Sequence, residues 1–143
     1  MSKIHYRSET NEWETPNDLY QELDKEFHFT LDPCCTIKNC KCSKGFAIDN
    51  GFDGLKESWK GEIVFMNPPY GREVGKWIEK AYNESNYTKI VCLVFSKTDT
   101  IWWHEYVMKA TEIRYIKGRL SFKRSDGFIG RASFPSAIVI FGK

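Results

Sequence analysis

Apolar positions change spacing several times along the chain, and each change marks an element. In TPNDLYQELDKEF, Leu19, Leu23 and Phe27 recur at intervals of four, which places them on one face of a helix. Thr15 is positioned to cap that helix. Pro16 suits its first turn, where an N–H would lack a partner anyway, and Asp18 faces the positive end of the helix dipole. FTLDPCC, from Phe29, reads as a short strand. Pro33 is expected to stop it, because proline cannot donate to a ladder and pushes Asp32 into an extended conformation. A strand at Gly45 to Asp49 is the one element expected within the Gly-, Lys- and Asp-rich stretch 36–61. EIVFM, Glu62 to Met66, is a strand that runs directly into two prolines. Beyond them, Val74, Trp77, Ile78, Ala81 and Tyr82 return to helical spacing. KIVCLVF, Lys89 to Phe95, is an unbroken apolar run, as expected of a strand covered on both faces. Trp103, Tyr106, Val107 and Ala110 form a further helical stripe opening near Thr98 and Asp99. EIRYI and SAIVIFG then read as strands flanking a basic, Gly-containing loop.

Strands alternating with helices predict an α/β domain with a mostly parallel sheet and an antiparallel C-terminal strand. No repeat, low-complexity tract or linker divides residues 1–143, so one compact domain is expected. In such sheets ligands sit beyond the carboxyl ends of the strands. Asp32 and Asn67 both fall at such ends.

Composition narrows the setting. No apolar run approaches the ~20 residues of a membrane span, and the polar start MSKIHYRSETNEWE lacks a signal-peptide core, so a cytoplasmic protein without membrane contact is expected. Five cysteines, an odd number without export signals, point to free thiols or ligands rather than disulfides. Cys34, Cys35, Cys40 and Cys42 are dense, but CC-x4-C-x-C does not match the paired knuckles of structural zinc. No metal is expected, and Cys34 and Cys35 are expected to be small buried hydrophobes. The net charge of +2 conceals an asymmetry: residues 1–62 carry 8 basic and 12 acidic side chains, residues 63–143 carry 13 and 7. Lys97, Lys109, Arg114, Lys117, Arg119, Lys123, Arg124 and Arg131 are therefore candidate phosphate contacts, the alternative being a solvated basic face.

The stretch FMNPPYG, Phe65 to Gly71, carries the most chemistry. An exocyclic amino nitrogen of a base is a weak nucleophile while its lone pair is delocalised into the ring. Two acceptors gripping its N–H groups favour tetrahedral geometry and free that pair. The Asn67 side-chain oxygen can accept one N–H. The Pro68 carbonyl, aimed by the fixed φ of Pro68 and Pro69, can accept the other. Tyr70 offers a flat ring on which a base flipped from its helix can stack. The plainer alternative is a surface turn with Tyr70 covering the core.

With these residues in view, the chain resembles the phage-type DNA N6-adenine methyltransferases, Dam-like enzymes dependent on S-adenosylmethionine. The landmarks are WETPNDLYQEL, LDPCC, DGLKESW, NPPYG, VCLVFSKTDTIWWH and GRLSF, in that order over nearly the whole length. The resemblance implies a Rossmann-like methyltransferase domain acting on DNA, with Asn67, Pro68, Pro69 and Tyr70 as the amine-binding loop. It further implies cofactor contacts from Trp13, Thr15 and Pro16 at the methionine end, from Asp32, Pro33 and Cys34 in the first cofactor loop, and from Asp53 near the adenine. Two departures stand out. No G-x-G loop follows Asp32, the next glycine being Gly45, and Phe95 stands where related chains carry proline. No separate target-recognition domain is expected, and a homodimer is one way for so small an enzyme to span a duplex. NPPY presents the same acceptors to RNA adenine or to a protein glutamine. A nucleic-acid-binding module without cofactor affinity is the reading of a different class.

Overall fold

The computed structural model describes residues 13–124 and 127–143; Arg124 is placed by its backbone alone. The polar start up to Glu12, and Asp126, lie outside the described residues. The main sheet has six strands: β2 (Leu31–Cys35), β3 (Lys44–Ala47), β4 (Ile63–Met66), β5 (Lys89–Phe95), β6 (Glu112–Tyr115) and β9 (Ser136–Phe141). Their order is β3-β2-β4-β5-β9-β6. The pairs β2·β3, β2·β4 and β4·β5 are parallel, and β9 is antiparallel to both β5 and β6. β9 thus runs alone against the other five. The α/β class and the antiparallel C-terminal strand expected are present, in a sheet whose pairings are mixed.

Strand β5 explains why both faces must be covered. Ile90, Cys92 and Val94 point into one core with Trp77, Ile78 and Ala81 of helix α2 (Val74–Glu84) and Trp103 of helix α3 (Ile101–Glu105). Val91 and Leu93 point into the other, with Leu23 of helix α1 (Asn17–Phe27), Phe65 and Phe122. Each fully buried aliphatic side chain contributes roughly 1.5–3 kcal/mol of transfer free energy, so the central strands anchor the domain.

A second, three-stranded sheet was not foreseen. The basic loop folds into strands β7 (Ser121–Arg124) and β8 (Ile129–Arg131), paired antiparallel, and β7 also pairs with β1 (Trp13–Glu14). Phe122 of β7 and Trp13 of β1, with Ala132 just after β8, pack onto the face that α1 covers.

Three local expectations are corrected. Pro33 does not stop β2, because the β2·β3 register shifts between Asp32 and Cys35 and the ladder asks no N–H of it there. Thr15 does not cap α1: Pro16 occupies the N-cap with ψ 132°, its carbonyl accepting from Tyr20 N, and no side chain caps the helix. The third helical stripe is not one helix. α3 ends at Glu105, capped at its start by Thr100 Oγ1 accepting from Trp103 N, and a 3-10 turn at Val107–Lys109 carries Val107 to the core. No helix among the described residues is long and apolar enough to cross a membrane.

Candidate active site

The carboxyl ends of β2, β3 and β4 open into a cavity of about 530 Å³, a size suited to a nucleoside-like ligand. Trp13, Glu14 and Thr15 form one wall, and Asp32, Pro33, Cys34 and Cys35 the floor. Phe46, Ile48, Phe52 and Leu55 form an apolar end, and Asn67, Pro68 and Pro69 a rim. Of the residues singled out for a cofactor, Trp13, Thr15, Asp32, Pro33, Cys34 and Asp53 meet here, while Pro16 does not line the cavity.

Asp32 is only 4% exposed. Burial pushes its carboxyl up to about 7, against the pull of two backbone donors. Those donors are Cys34 N, 3.2 Å from Oδ1, and Lys41 N, 3.0 Å from Oδ2. The Asp32 side chain thereby pins the loop after β2 without any G-x-G. The close backbone approach comes from the opposite segment: a Cβ on Gly54 would lie 1.9 Å from the Pro33 carbonyl oxygen. Trp59 Nε1 donates to Gly54 O at 2.9 Å, and Asp53 Oδ1 accepts from Leu55 N at 3.0 Å. These bonds hold Asp53, Gly54, Leu55 and Trp59 of the DGLKESW stretch together, and Asp53 lines the cavity.

The loop after β4 is fixed in detail. Asn67 Nδ2 donates to the Trp13 carbonyl at 2.7 Å. A carbonyl only accepts, so this bond decides which way the amide faces. Asn67 Oδ1 then accepts from the Tyr70 hydroxyl at 2.8 Å, which also approaches Leu93 O at 3.3 Å. One lone pair of Oδ1 remains. No hydrogen bond reaches the Pro68 carbonyl from the described residues. Gly71 ends the loop at φ 128°, a conformation side chains resist.

Tyr70 differs from expectation. Its ring is 9% exposed, with one face stacked on Phe95 at 4.1 Å and 17°. Phe122 meets it edge-on at 6.3 Å. It does not line the cavity or offer a free platform for a base in this conformation. Burial pushes its hydroxyl well above the ordinary tyrosine range, so the phenol stays a donor to Asn67. Phe95 supplies the stacking partner.

The candidate phosphate contacts divide. Arg114 Nη1 and Nη2 bond Glu26 at 2.7 and 2.6 Å, and its Nε bonds Glu112 at 2.6 Å. These ion pairs engage its charge at the surface, on the edge strand β6. Lys117, Arg119, Lys123 and Arg131 are exposed on or beside the hairpin, and Arg119 donates to Ser133 O at 2.8 Å. Lys97 Nζ lies 4.4 Å over the Phe134 ring, and Lys109 Nζ 5.4 Å from that of Tyr82. Phe128 and Ile129 are 54% and 68% exposed among these cations, an apolar content the charge pattern did not reveal.

Cysteine chemistry is also corrected. Cys35 and Cys40 form a disulfide, whereas Cys34, Cys42 and Cys92 remain thiols. The five-residue separation was legible, but the turn that closes it, with Cys40 N donating to Thr36 O, was not. Cys42 Sγ meets Tyr20 Oη at 3.3 Å, and burial pushes its thiol up to about 11. No cluster suited to a metal occurs among the described residues. Sequence reasoning missed Lys41 and the apolar end of the cavity. Alternation of Phe46 and Ile48 at the end of β3 was the available signal for the latter.

Comparison with protein families gives a match over almost the whole chain: the family model described as DNA N-6-adenine-methyltransferase (Dam) covers residues 2–141. No curated protein sequence matches the chain.

Proposed function

The chain belongs to the Dam family of DNA N-6-adenine methyltransferases, and from that premise we propose that it methylates the N6 amine of an adenine turned out of DNA, with S-adenosylmethionine held in the cavity. Membership carries the activity in general, adenine N6-methylation of DNA. The observation that supports the site is the Asn67 amide, oriented by the Trp13 carbonyl at the rim of a 530 Å³ cavity. A single antiparallel strand between β5 and β6 supports a Rossmann-like methyltransferase domain, and residues 1–143 form one such domain in this reading.

The cavity suits the cofactor. Its apolar end, Phe46, Ile48, Phe52 and Leu55 with Asp53 beside them, matches a purine. Its polar end, Glu14, Thr15, Asp32 and Lys41, matches an amino-acid arm. When bound there, the cofactor supplies a methyl group on a cationic sulfur. The chain's own residues prepare the acceptor. Asn67 Oδ1 takes one N–H of the amine on its remaining lone pair, and the Pro68 carbonyl takes the other. Held by both, the nitrogen lone pair turns from the ring toward the cavity. The surplus proton then leaves a cationic nitrogen, which needs no strong base. Tyr70 acts through Asn67 as a positioning residue, its buried hydroxyl holding the amide that Trp13 orients. Lys97, Lys117, Arg119, Lys123, Arg124 and Arg131 contact the DNA backbone, and Arg114 stands apart in its ion pairs.

The test is incubation of purified protein with isotopically labelled cofactor and, separately, DNA, RNA and protein acceptors. Label in the N6 position of DNA adenine is expected. Label confined to RNA or to protein would replace the substrate, and no label in any acceptor would overturn the enzymatic reading.

A further inference from the structure

Lys41 is a cation in an unusual place. It lines the cavity and is half-buried, yet no carboxylate of the described residues forms an ion pair with it. Its Nζ donates to Asn17 Oδ1 at 2.8 Å, and the Tyr20 ring lies 6.0 Å away. An ammonium has three donors, so two remain beyond the Asn17 bond. Its backbone is equally determined, because Lys41 N is one of the two donors that tie Asp32. The stem therefore leaves from a fixed point on the cavity wall. The bond to Asn17 is exposed, and no carboxylate of the described residues pairs with the ammonium, so its remaining donors are open to an anionic ligand. Burial already presses the ammonium toward its neutral form, with Glu14 and Asp32 opposing.

The surroundings limit the ligand. Glu14, Thr15 and Asp32 line the same cavity, and the charges of Glu14 and Asp32 act on the Lys41 ammonium. A diphosphate would meet two carboxylates. A zwitterion meets a cation for its carboxylate and an anion for its ammonium, which is the pattern present.

We propose that Lys41 binds the carboxylate of the cofactor's amino-acid arm, with Glu14 opposite the arm's ammonium. This rests on the functional reading above, and the test separates the two. S-adenosylhomocysteine carries the amino-acid arm, and 5′-methylthioadenosine has the same nucleoside without it. Their affinities are measured by calorimetry on the full-length protein and on Lys41→Gln and Lys41→Arg. For Lys41→Gln, affinity for S-adenosylhomocysteine falls by about tenfold or more, the scale of a charge-assisted hydrogen bond removed. Affinity for methylthioadenosine stays within about twofold, and Lys41→Arg recovers most of the difference. Equal losses for both ligands, including complete loss through misfolding, would make Lys41 a structural residue and overturn the proposal. Unchanged binding of both would overturn it too. Wild-type protein that binds neither would remove the functional reading, and Lys41 with it.

Discussion

The cavity and the β7–β8 hairpin both carry charge, and they handle it in opposite ways. Asp32 is buried, bonded to two backbone N–H groups and shifted to about 7. Lys117, Lys123 and Arg131 stand in solvent beside exposed Phe128 and Ile129. Charge in the cavity answers to protons and little to salt, because burial raises its self-energy and shields it from ions. Charge on the hairpin, exposed to solvent, answers to salt. In the proposed function, the cavity holds a small ligand and the hairpin meets a long polyanion at its surface.

The largest effect that would sharpen this contrast is at Asn67. Replacing it with alanine removes the acceptor while leaving the rest of the cavity wall intact. Methylation is expected to fall by a factor on the order of 10² to 10³ or more, with S-adenosylhomocysteine affinity largely unchanged in calorimetry. Loss of both together would make Asn67 part of the cofactor site.

Asp32 gives the next effect, through pH. Its folded-state value lies above that of an unfolded aspartate, so the folded protein holds the extra proton between about pH 4 and 7. The stability it contributes is fully present below that window and is lost as pH rises through it. Against Asp32→Asn, which has no such titration, wild-type protein is expected to lose on the order of a few kcal/mol across pH 4 to 7. Denaturant melts of both proteins at several pH values measure this. Parallel curves would show that the buried carboxylate is not titrating there.

The smallest effects belong to the hairpin. Neutralising Lys123 and Arg131 together should weaken DNA binding uniformly across sequences and reduce the salt slope of affinity by about one for each phosphate no longer neutralised. Arg114→Gln is the paired control: its charge is spent on Glu26 and Glu112, so the slope should not change. A slope that fell with Arg114 and not with the hairpin would exchange the two surfaces.

The same division governs what was legible in the sequence. β5, α1 and α2 declared themselves because burial imposes a period on apolar residues. The NPPYG loop did so because it joins a strand end to rigid residues with an amide. Pro33 misled because a proline's effect depends on whether its partner strand asks for an N–H, which only register decides. The β1–β7–β8 sheet was hidden because its strands are short and its pairings distant, Trp13 with Arg124 and Glu14 with Lys123. Nothing in the sequence marks Lys41, because only the turn closed by Cys35 and Cys40 brings its backbone N–H to Asp32. Tyr70 shows the limit for a single residue. Its type suggested a platform, and Phe95, 25 residues later in sequence, took up its face.

The central claim, that the amide at the end of β4 grips an adenine amine, is tested most directly by digestion and mass analysis of DNA from cells expressing the protein or its Asn67→Ala variant. N6-methyladenine is expected with the wild-type chain and at background level with the variant. The same modified base in both, or in neither when both proteins are folded and abundant, would contradict it.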